Sequence, residues 1–301
     1  MAAATGKVAH GDMDIDLSDI HRQDEVGQLA HSLTTMAQEL KKYIDELTIT
    51  SAAKQRFESE LSIAAGIQKS MLPSVFPPFP DRDEFDIYAL MRPAKEVGGD
   101  FYDFSFLDDD HLMFVVGDVS GKGVPAALFM SVTKYLIEAA VVMDKAPDKD
   151  LSRVSRHLAD DNESCMFVTV FIGILNVKSG EFLYASAGHN PLLLWSNDSD
   201  PSFLEGQGGP VVGIVEEAVF GMDHLTLRPG SVLLAHTDGV TEAFNTEEEA
   251  FSEERLLRAI NPVRNKPVKD VVEGILADID SFSVGAPQAD DITILALRYG
   301  P

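Results

Sequence analysis

HLMFVVGDVSGKGVPAALFM, residues 111–130, decides the fold. An apolar run typical of a strand ends at Asp118, a glycine-rich turn follows, and a helix is predicted from residue 124 with Pro125 in its first turn. A strand that stops in such a turn leaves the carboxylate of Asp118 and the carbonyl of Val119 facing one cavity. This arrangement predicts a ligand site.

Acidic residues stand in similar settings elsewhere in the chain. Asp100 follows two glycines in GGDFYD, Asp238 follows the predicted strand SVLLAHT, and ITILAL is preceded by the pair Asp290 and Asp291. Acids so far apart in sequence form no local loop site and must be gathered by the fold. Converging carboxylates repel unless a cation lies among them, and all-oxygen ligands select Mg²⁺ or Mn²⁺. The sequence therefore predicts a hard-metal site.

Length and composition limit the other classes of function. The chain has 301 residues, 45% of them apolar, which is enough for one sizeable domain and an accessory segment. A formal net charge of −25 argues against nucleic acid and anionic membrane surfaces as partners. The single cysteine, Cys165, is expected to be a small buried side chain and favours a cytoplasmic location. No apolar run is expected to approach the length needed to cross a bilayer, and no signal sequence is recognisable.

Beyond residue 80 the pattern is one of short strands and turns. Strands are predicted at about 86–91, 100–106, 111–117, 166–175, 181–186, 192–195, 231–236 and 291–298. Several are separated by only a few residues, which favours antiparallel hairpins. Helices are predicted at 124–143, with its apolar stripe facing the core, and at 252–260 and 267–282. Runs such as MFVTVFIGIL indicate strands covered on both faces, so that two packed sheets flanked by helices are expected.

An interrupted heptad pattern precedes this domain. Apolar residues recur at alternating steps of four and three, at Leu29, Leu33, Met36, Leu40, Tyr43 and Leu47, and again at Phe57, Leu61 and Ala64. The spacing favours a parallel coiled coil and hence a homodimer through residues 29–72, although Thr50 and Lys54 interrupt it. An amphipathic helix lying on its own catalytic domain is the alternative. Four prolines within 73–80 mark the domain boundary.

The segment GDMDIDLSDIHRQDEVGQLAHSLTTMAQEL, residues 11–40, resembles the second half of a HAMP signalling module. HAMP modules need two helices per subunit, and the first is not expected in this sequence. The resemblance implies a partial HAMP-like connector at 1–28 and the second HAMP helix with a coiled-coil linker at 29–72. The chain then looks like the cytosolic end of a receptor-type protein, anchored elsewhere to a membrane and making no membrane contact itself.

Seven motifs carry a second resemblance: IQKSMLP, AKEVGGDFYDF, GDVSGKGVPAALFM, MFVTVFIGIL, SAGHNPLLL, TDGVTEAF and ADDITILALR. They stand in the order and approximate spacing of the bacterial PP2C-like (PPM) serine/threonine phosphatases of the SpoIIE and RsbU type, over residues 61–299. The resemblance implies an α+β fold, a PP2C-like α-β-β-α sandwich of mostly antiparallel sheets, at 81–301. It also implies two Mn²⁺ or Mg²⁺ ions between the sheets.

The resemblance further implies roles for individual residues. Asp118 would bridge both ions and, with Asp238, is assigned as catalytic. The metal ligands would be Asp100, Asp118, the carbonyl of Val119, Asp238 and Asp290, supported from behind by Asp291 and Gly99, although the sequence leaves open whether Asp290 or Asp291 is the direct ligand. Lys122 is a candidate phosphate contact, with a solvated loop lysine as the alternative.

Two departures from the eukaryotic branch concern the leaving group and the phosphate. Ser120 stands where a histidine is the usual general acid, and no counterpart of the phosphate-binding arginine is recognisable. His189 is interpreted as a structural hydrogen-bonding residue.

The activity implied by the resemblance is removal of phosphate from serine or threonine of a partner protein by metal-activated water. That partner would be a STAS-type anti-sigma-factor antagonist. A catalytically silent PP2C-like scaffold in a partner-switching pathway is the alternative.

Overall fold

The computed structural model describes residues 2–15, 17, 24–160 and 162–300. The chain divides into two compact units, Met1–Ile63 and Ala64–Pro301. Helix α1, Ala2–Ala9, lies in the first unit, and helix α2, Glu25–Met71, begins there and ends in the second. Part of the HAMP-like connector, residues 16 and 18–23, lies outside the described residues.

The heptad residues of α2 are largely exposed in the single chain. Leu29, Met36, Tyr43, Leu47 and Phe57 all leave most of their side-chain surface open to solvent. Large apolar side chains repeated along one helix are expected to be covered by a second helix. The homodimer through residues 29–72 stays a prediction.

The second unit is built on two five-stranded antiparallel sheets. Its strands are β1 Phe85–Arg92, β2 Phe101–Phe106, β3 His111–Val119, β4 Val168–Asn176, β5 Glu181–Ala187, β6 Leu193–Ser196, β7 Ser199–Phe203, β8 Asp223–Thr226, β9 Ser231–His236 and β10 Ile292–Tyr299. One sheet has the order β1-β10-β9-β6-β7 and the other β2-β3-β4-β5-β8. Strand β4 is buried along nearly its whole length, as the apolar run MFVTVFIGIL predicts.

Helices cover the outer faces of both sheets. They are α3 Val124–Asp144, α4 Pro147–Ala159, α5 Asp238–Thr241, α6 Ser252–Ile260 and α7 Val268–Phe282. Helices α3 and α4 contact the β2-β3-β4-β5-β8 sheet, and α7 contacts β1 and β10 of the other sheet. The predicted α-β-β-α sandwich is confirmed.

Four elements of the second unit are missed by the sequence prediction: β7, β8, α4 and the single-turn helix α5. Strands β7 and β8 are short and carry partly exposed polar residues, so no apolar run marks them. Helix α4 had a readable signal, because Leu151, Val154 and Leu158 recur at helical spacing and form its buried face. The expectation that Cys165 is buried is wrong. It lies in the turn before β4 with a φ of 50°, at the surface.

Helix α3 overturns one expectation about membranes. Its 21 residues are long and apolar enough, by length and composition alone, to cross a bilayer. The expectation that no apolar run approaches that length is therefore wrong. One face of the helix is nevertheless buried in the domain, at Ala126, Met130, Thr133, Ile137, Ala140 and Val141 among others.

Candidate metal centre

Strand register brings the predicted acids to one end of the sandwich. Phe101 pairs with Gly117 in one sheet, so the neighbouring residues Asp100 and Asp118 meet at its edge. Ile294 pairs with His236 in the other sheet, which brings the end of β9 beside the start of β10. The Asp238 turn packs so closely there that a Cβ on Gly239 would lie 1.9 Å from the carbonyl oxygen of Asp291.

Asp291 fastens the loop that carries Asp100. Its Oδ1 accepts a hydrogen bond from the Ala94 backbone N–H at 2.7 Å, and its Oδ2 accepts one from the Gly99 N–H at 2.7 Å. Both oxygens thus accept hydrogen bonds from backbone N–H groups. This agrees with the prediction that Asp291 and Gly99 hold the ligands in place rather than bind metal themselves. Glycine is required at position 98 because Asp291 lies so close: a Cβ on Gly98 would be 2.3 Å from Asp291 Oδ2.

Gly99 also lies against the predicted backbone ligand, the carbonyl of Val119. A Cβ at Gly99 would stand 2.9 Å from the carbonyl oxygen of Val119. The pattern GGD therefore lets the Asp100 strand approach the Val119 carbonyl, as a shared ligand site requires.

Thr237 orients Asp100 and was not singled out from the sequence. Its Oγ1 donates to Asp100 Oδ2 at 2.7 Å and accepts from the Thr293 N–H at 3.0 Å. This one hydroxyl joins the β9-β10 sheet to the acid of the other sheet. A threonine next to a strand-end aspartate was the available signal, within TDGVTEAF.

The carboxylates perturb one another strongly. Burial, followed by Asp118 and Asp291, raises the pKa of Asp100 well above its ordinary value. Burial, followed by Asp238 and Asp290, raises the pKa of Asp118 to about 7. The pKa of Asp238 is also raised, by burial and then by Glu242 and Asp290. The five predicted site acids are therefore close enough to act on one another electrostatically.

Lys122 is a cation in contact with this cluster. Its Nζ lies 2.8 Å from Asp290 Oδ2 and also donates to the Ala289 carbonyl. The hydrogen bond to Asp290 raises the pKa of Lys122. As a counter-ion Lys122 neutralises part of the acidic cluster, whereas its predicted contact with phosphate stays a prediction.

The donor set fits a hard divalent cation. Among the described residues, no group of three or more His, Cys, Asp or Glu side chains lies in a geometry that could hold a metal ion. Burial and the neighbouring carboxylates nevertheless raise the pKa values of Asp100, Asp118 and Asp238, which is the condition that bound cations relieve. Carboxylate and carbonyl oxygens without sulfur or imidazole suit Mg²⁺ and Mn²⁺.

Two polar residues near the site have structural partners. Ser120 Oγ accepts from the Phe167 N–H at 3.0 Å, which anchors the turn after Asp118. His189 is buried and its Nδ1 lies 2.9 Å from Thr169 Oγ1, in agreement with its interpretation as a structural residue. Burial lowers the pKa of His189 to about 3, so the ring is neutral.

Gln68, in the last turns of α2, contacts the loop that precedes Asp100. Its Nε2 donates to the Gly98 carbonyl at 2.6 Å, and its Oε1 accepts from the Gly98 N–H at 3.1 Å. The side chain is buried. The sequence contains Gln68 within IQKSMLP but gives no sign of this reciprocal pair.

Comparison with known families assigns this fold to a family. The profile of Stage II sporulation protein E (SpoIIE) matches residues 108–300. The chain belongs to the SpoIIE family of PP2C-type serine/threonine phosphatases. The HAMP domain profile matches residues 1–42, which include α1, so the expectation that the first HAMP helix is missing is wrong.

Relatives of this SpoIIE-family chain extend the match. Protein IcfG of Synechocystis sp. is 30% identical over 99% of this chain and 50% of its own length. Phosphoserine phosphatase RsbU of Bacillus subtilis is 30% identical over 81% of this chain and 71% of its own length. The chain therefore spans half of one relative and most of the other.

Solved structures share the SpoIIE-type fold. The SiaA-PP2C domain of Pseudomonas aeruginosa has a TM-score of 0.74 at 22% identity, covering 83% of this chain and 99% of that domain. The RsbU and RsbW domains of Rv1364c from Mycobacterium tuberculosis give a TM-score of 0.63 at 28% identity, over 72% and 60%. The structure of RsbX in complex with magnesium has a TM-score of 0.55 at 18% identity, covering 73% of this chain and 98% of RsbX.

Removing the Lys122 charge separates its two interpretations. If Lys122 is a counter-ion, Lys122→Ala should raise the affinity for Mn²⁺ by about 3- to 10-fold, since one screened surface charge contributes about 1 kcal/mol. A phosphate contact would instead raise KM for a phosphopeptide without strengthening Mn²⁺ binding. Isothermal titration with Mn²⁺ and steady-state kinetics distinguish these outcomes, with Lys95→Ala, an exposed loop lysine, as the matched control.

Proposed function

We propose that the chain is a metal-dependent phosphatase that hydrolyses phosphoserine or phosphothreonine on a partner protein. The observation that carries this proposal is the convergence of aspartates from distant parts of the chain: burial, followed by Asp238 and Asp290, raises the pKa of Asp118 to about 7. Such a cluster is unfavourable unless cations are bound. Membership in a phosphatase family supports the same conclusion.

The side chains divide into ligands and supports. Asp118, Asp100, Asp238, Asp290 and the Val119 carbonyl would hold two Mn²⁺ or Mg²⁺ ions. When bound, the ions would supply a water of lowered pKa and neutralise charge on the phosphoryl group.

The chain's own contribution is to keep these oxygens in place. Thr237 fixes the orientation of Asp100 through its hydroxyl. Asp291 holds the backbone at Ala94 and Gly99, and thereby the approach of Asp100 to Val119. Because a hydrogen-bonded backbone support resists small displacements, the ligand oxygens are prepared before an ion arrives.

The partner is proposed from the relatives. RsbU is named a phosphoserine phosphatase, and a structural neighbour joins an RsbU domain to an RsbW domain. These names support a phosphorylated STAS-type anti-sigma-factor antagonist as substrate, within a partner-switching pathway. The HAMP match supports a cytoplasmic phosphatase that receives a signal through a receptor-type module.

Regulation is proposed to pass through α2. The exposed heptad residues support a homodimer, and the same helix ends with Gln68 bound to Gly98, next to Gly99 of the site. A change in the rotation or position of the last turns of α2 would disturb the Gly98 bonds. We therefore propose that dimer geometry sets the affinity for metal.

A metal-removal assay tests the proposed activity. Chain stripped with EDTA should release no phosphate from a phosphoserine peptide, and added Mn²⁺ should restore multiple turnovers. A phosphotyrosine peptide of the same sequence serves as the control and should react far more slowly. Turnover that is indifferent to EDTA would reject the proposed metal dependence. No turnover of any phosphopeptide with Mn²⁺ present would reject the proposal in favour of a silent scaffold.

A further inference from the structure

A pocket of about 290 Å³ lies between helices α5 and α7, beside two of the predicted metal ligands. Two of its lining residues, Gly239 and Ala289, are the direct chain neighbours of the acids Asp238 and Asp290. Consecutive Cα atoms are about 3.8 Å apart, so the wall of the pocket begins one residue from each proposed ligand. A substrate that places its phosphate at the metal site therefore brings its neighbouring residues close to this pocket.

The loop after α7 forms one wall of the pocket and also carries Asp290. In this loop, Gln288 Nε2 donates to the Arg92 carbonyl at 2.9 Å and to the Asp290 carbonyl at 2.8 Å. The end of β1 is thereby joined to a residue that would hold metal. Because the pocket and the site share this hydrogen-bonded backbone, a side chain bound in the pocket would be held at a fixed distance from the ions.

The lining of the pocket is mainly apolar. Phe244 belongs to it and leaves 39% of its surface open to solvent. The other apolar lining residues are Ala243, Ala286, Pro287, Ala289 and Ile292. A concave site with an exposed aromatic side chain and several small apolar ones is suited to an apolar group of a ligand.

The charged residues of the pocket compensate each other. Among the described residues that line it, these are Arg92 and Asp280, whose Nη1 and Oδ1 atoms lie 2.6 Å apart. A charged side chain entering the pocket would lose hydration and would find each opposite charge already paired. The pocket therefore favours an uncharged, apolar side chain over an acidic or a basic one.

We infer that this pocket receives an apolar side chain of the phosphoprotein, within two residues of the phosphoserine or phosphothreonine. Two extended residues span about 7 Å, which covers the distance from a site residue to the pocket wall. Pockets for free small molecules are usually about 300–1,000 Å³, so a volume of about 290 Å³ suits one side chain of a substrate already anchored by its phosphate. The inference rests on the proposed function and adds the class of sequence that the site selects.

Turnover of a phosphopeptide series by the full chain with Mn²⁺ tests this inference. The reference peptide has glycine at the two positions on each side of the phosphoserine, and leucine, aspartate or lysine replaces one glycine at a time. At one of these four positions leucine should raise kcat/KM by about 10-fold, because a partly enclosed apolar side chain is removed from water. The gain should lie mainly in KM, as expected for binding away from the reacting atoms. Aspartate and lysine should give no such gain.

Two variants alter the pocket in opposite ways. Phe244→Ala removes its exposed aromatic side chain, and Ala286→Phe fills it. Each should bring the ratio of kcat/KM for the leucine and glycine peptides close to one. Val284→Ala, 73% exposed on the same loop and outside the pocket lining, is the matched control and should keep the ratio of the parent. Because the ratio is measured within each variant, a general loss of activity does not change it.

Three results would overturn the inference and leave the phosphatase proposal intact. They are equal kcat/KM for the leucine and glycine peptides at all four positions, a preference for aspartate or lysine, and an unchanged ratio in either pocket variant. Absence of Mn²⁺-dependent turnover for every peptide would overturn the proposed function and this inference with it.

Discussion

Asp118→Asn is expected to reduce turnover by about 10³-fold or more while making the metal-free chain more stable than the parent. Asp118 is the proposed shared ligand of both ions, and metal ions contribute several kcal/mol of transition-state stabilisation. The gain in stability has a separate cause. In the metal-free chain the charge of Asp118 is buried and faces Asp238 and Asp290.

The sign of the stability change follows from linkage. Burial and the neighbouring acids raise the pKa of Asp118 from 3.8 to about 7. Between these values the folded chain binds more protons than the unfolded chain, so the free energy of unfolding falls as pH rises through this window. Above pH 7 the full penalty is present. Asparagine removes it and should raise the free energy of unfolding by up to about 4 kcal/mol at pH 7.5, with no gain at pH 3.5.

Urea unfolding of EDTA-treated chains measures this difference. Trp195 is the single tryptophan and is fully buried, so its fluorescence reports the unfolding of the β9-β10 sheet. Asp278→Asn, at an exposed position on α7, is the matched control and should change neither stability nor turnover. An Asp118→Asn chain that is less stable than the parent without metal would contradict the clustering of the acids.

Gln68→Ala is expected to weaken Mn²⁺ binding by about 10- to 100-fold, because two hydrogen bonds to Gly98 are lost at about 1 kcal/mol each. Gly98 is followed directly by Gly99 and Asp100. A more mobile backbone at Gly98 would therefore leave the carboxylate of Asp100 less well preorganised for metal binding. The loss of turnover should be large at limiting Mn²⁺ and small at saturating Mn²⁺. That dependence identifies Gln68 as a positioning residue.

Turnover is measured across a Mn²⁺ titration for two glutamine variants, Gln68→Ala and a control. Gln55→Ala, exposed on the same helix, is the control and should leave the titration curve unchanged. Thermal unfolding of the metal-free chains shows whether Gln68→Ala is folded. An unaltered Mn²⁺ midpoint in a folded Gln68→Ala chain would remove the proposed link between α2 and the site.

The sequence predicted most strands because each is a short apolar run between turns. It predicted Asp100, Asp118 and Asp238 as ligands because few acidic residues stand at strand ends beside glycine, and the structure places these three close together. It could not separate Asp290 from Asp291, since two adjacent acids look alike until the Ala94 and Gly99 amides are seen to bind only the second.

Other features depend on contacts that no pattern encodes. Gln68 is one polar residue among many on a long helix, and its partner Gly98 lies 30 residues away. The stripe of α3 was interpreted as core-facing, yet the helix has apolar residues on both faces and only one meets the sheet. Apolar composition alone does not say which face is covered by the same chain.

Asp291 also links the two sheets to each other at the end of the sandwich where the aspartates meet. It precedes β10 of one sheet, and its two oxygens hold the segment that leads into β2 of the other. Any separation of the layers must first break these two bonds and expose the Ala94 and Gly99 amides to water. Deuterium uptake at these two amides would therefore report local separation of the two sheets directly, without a substrate.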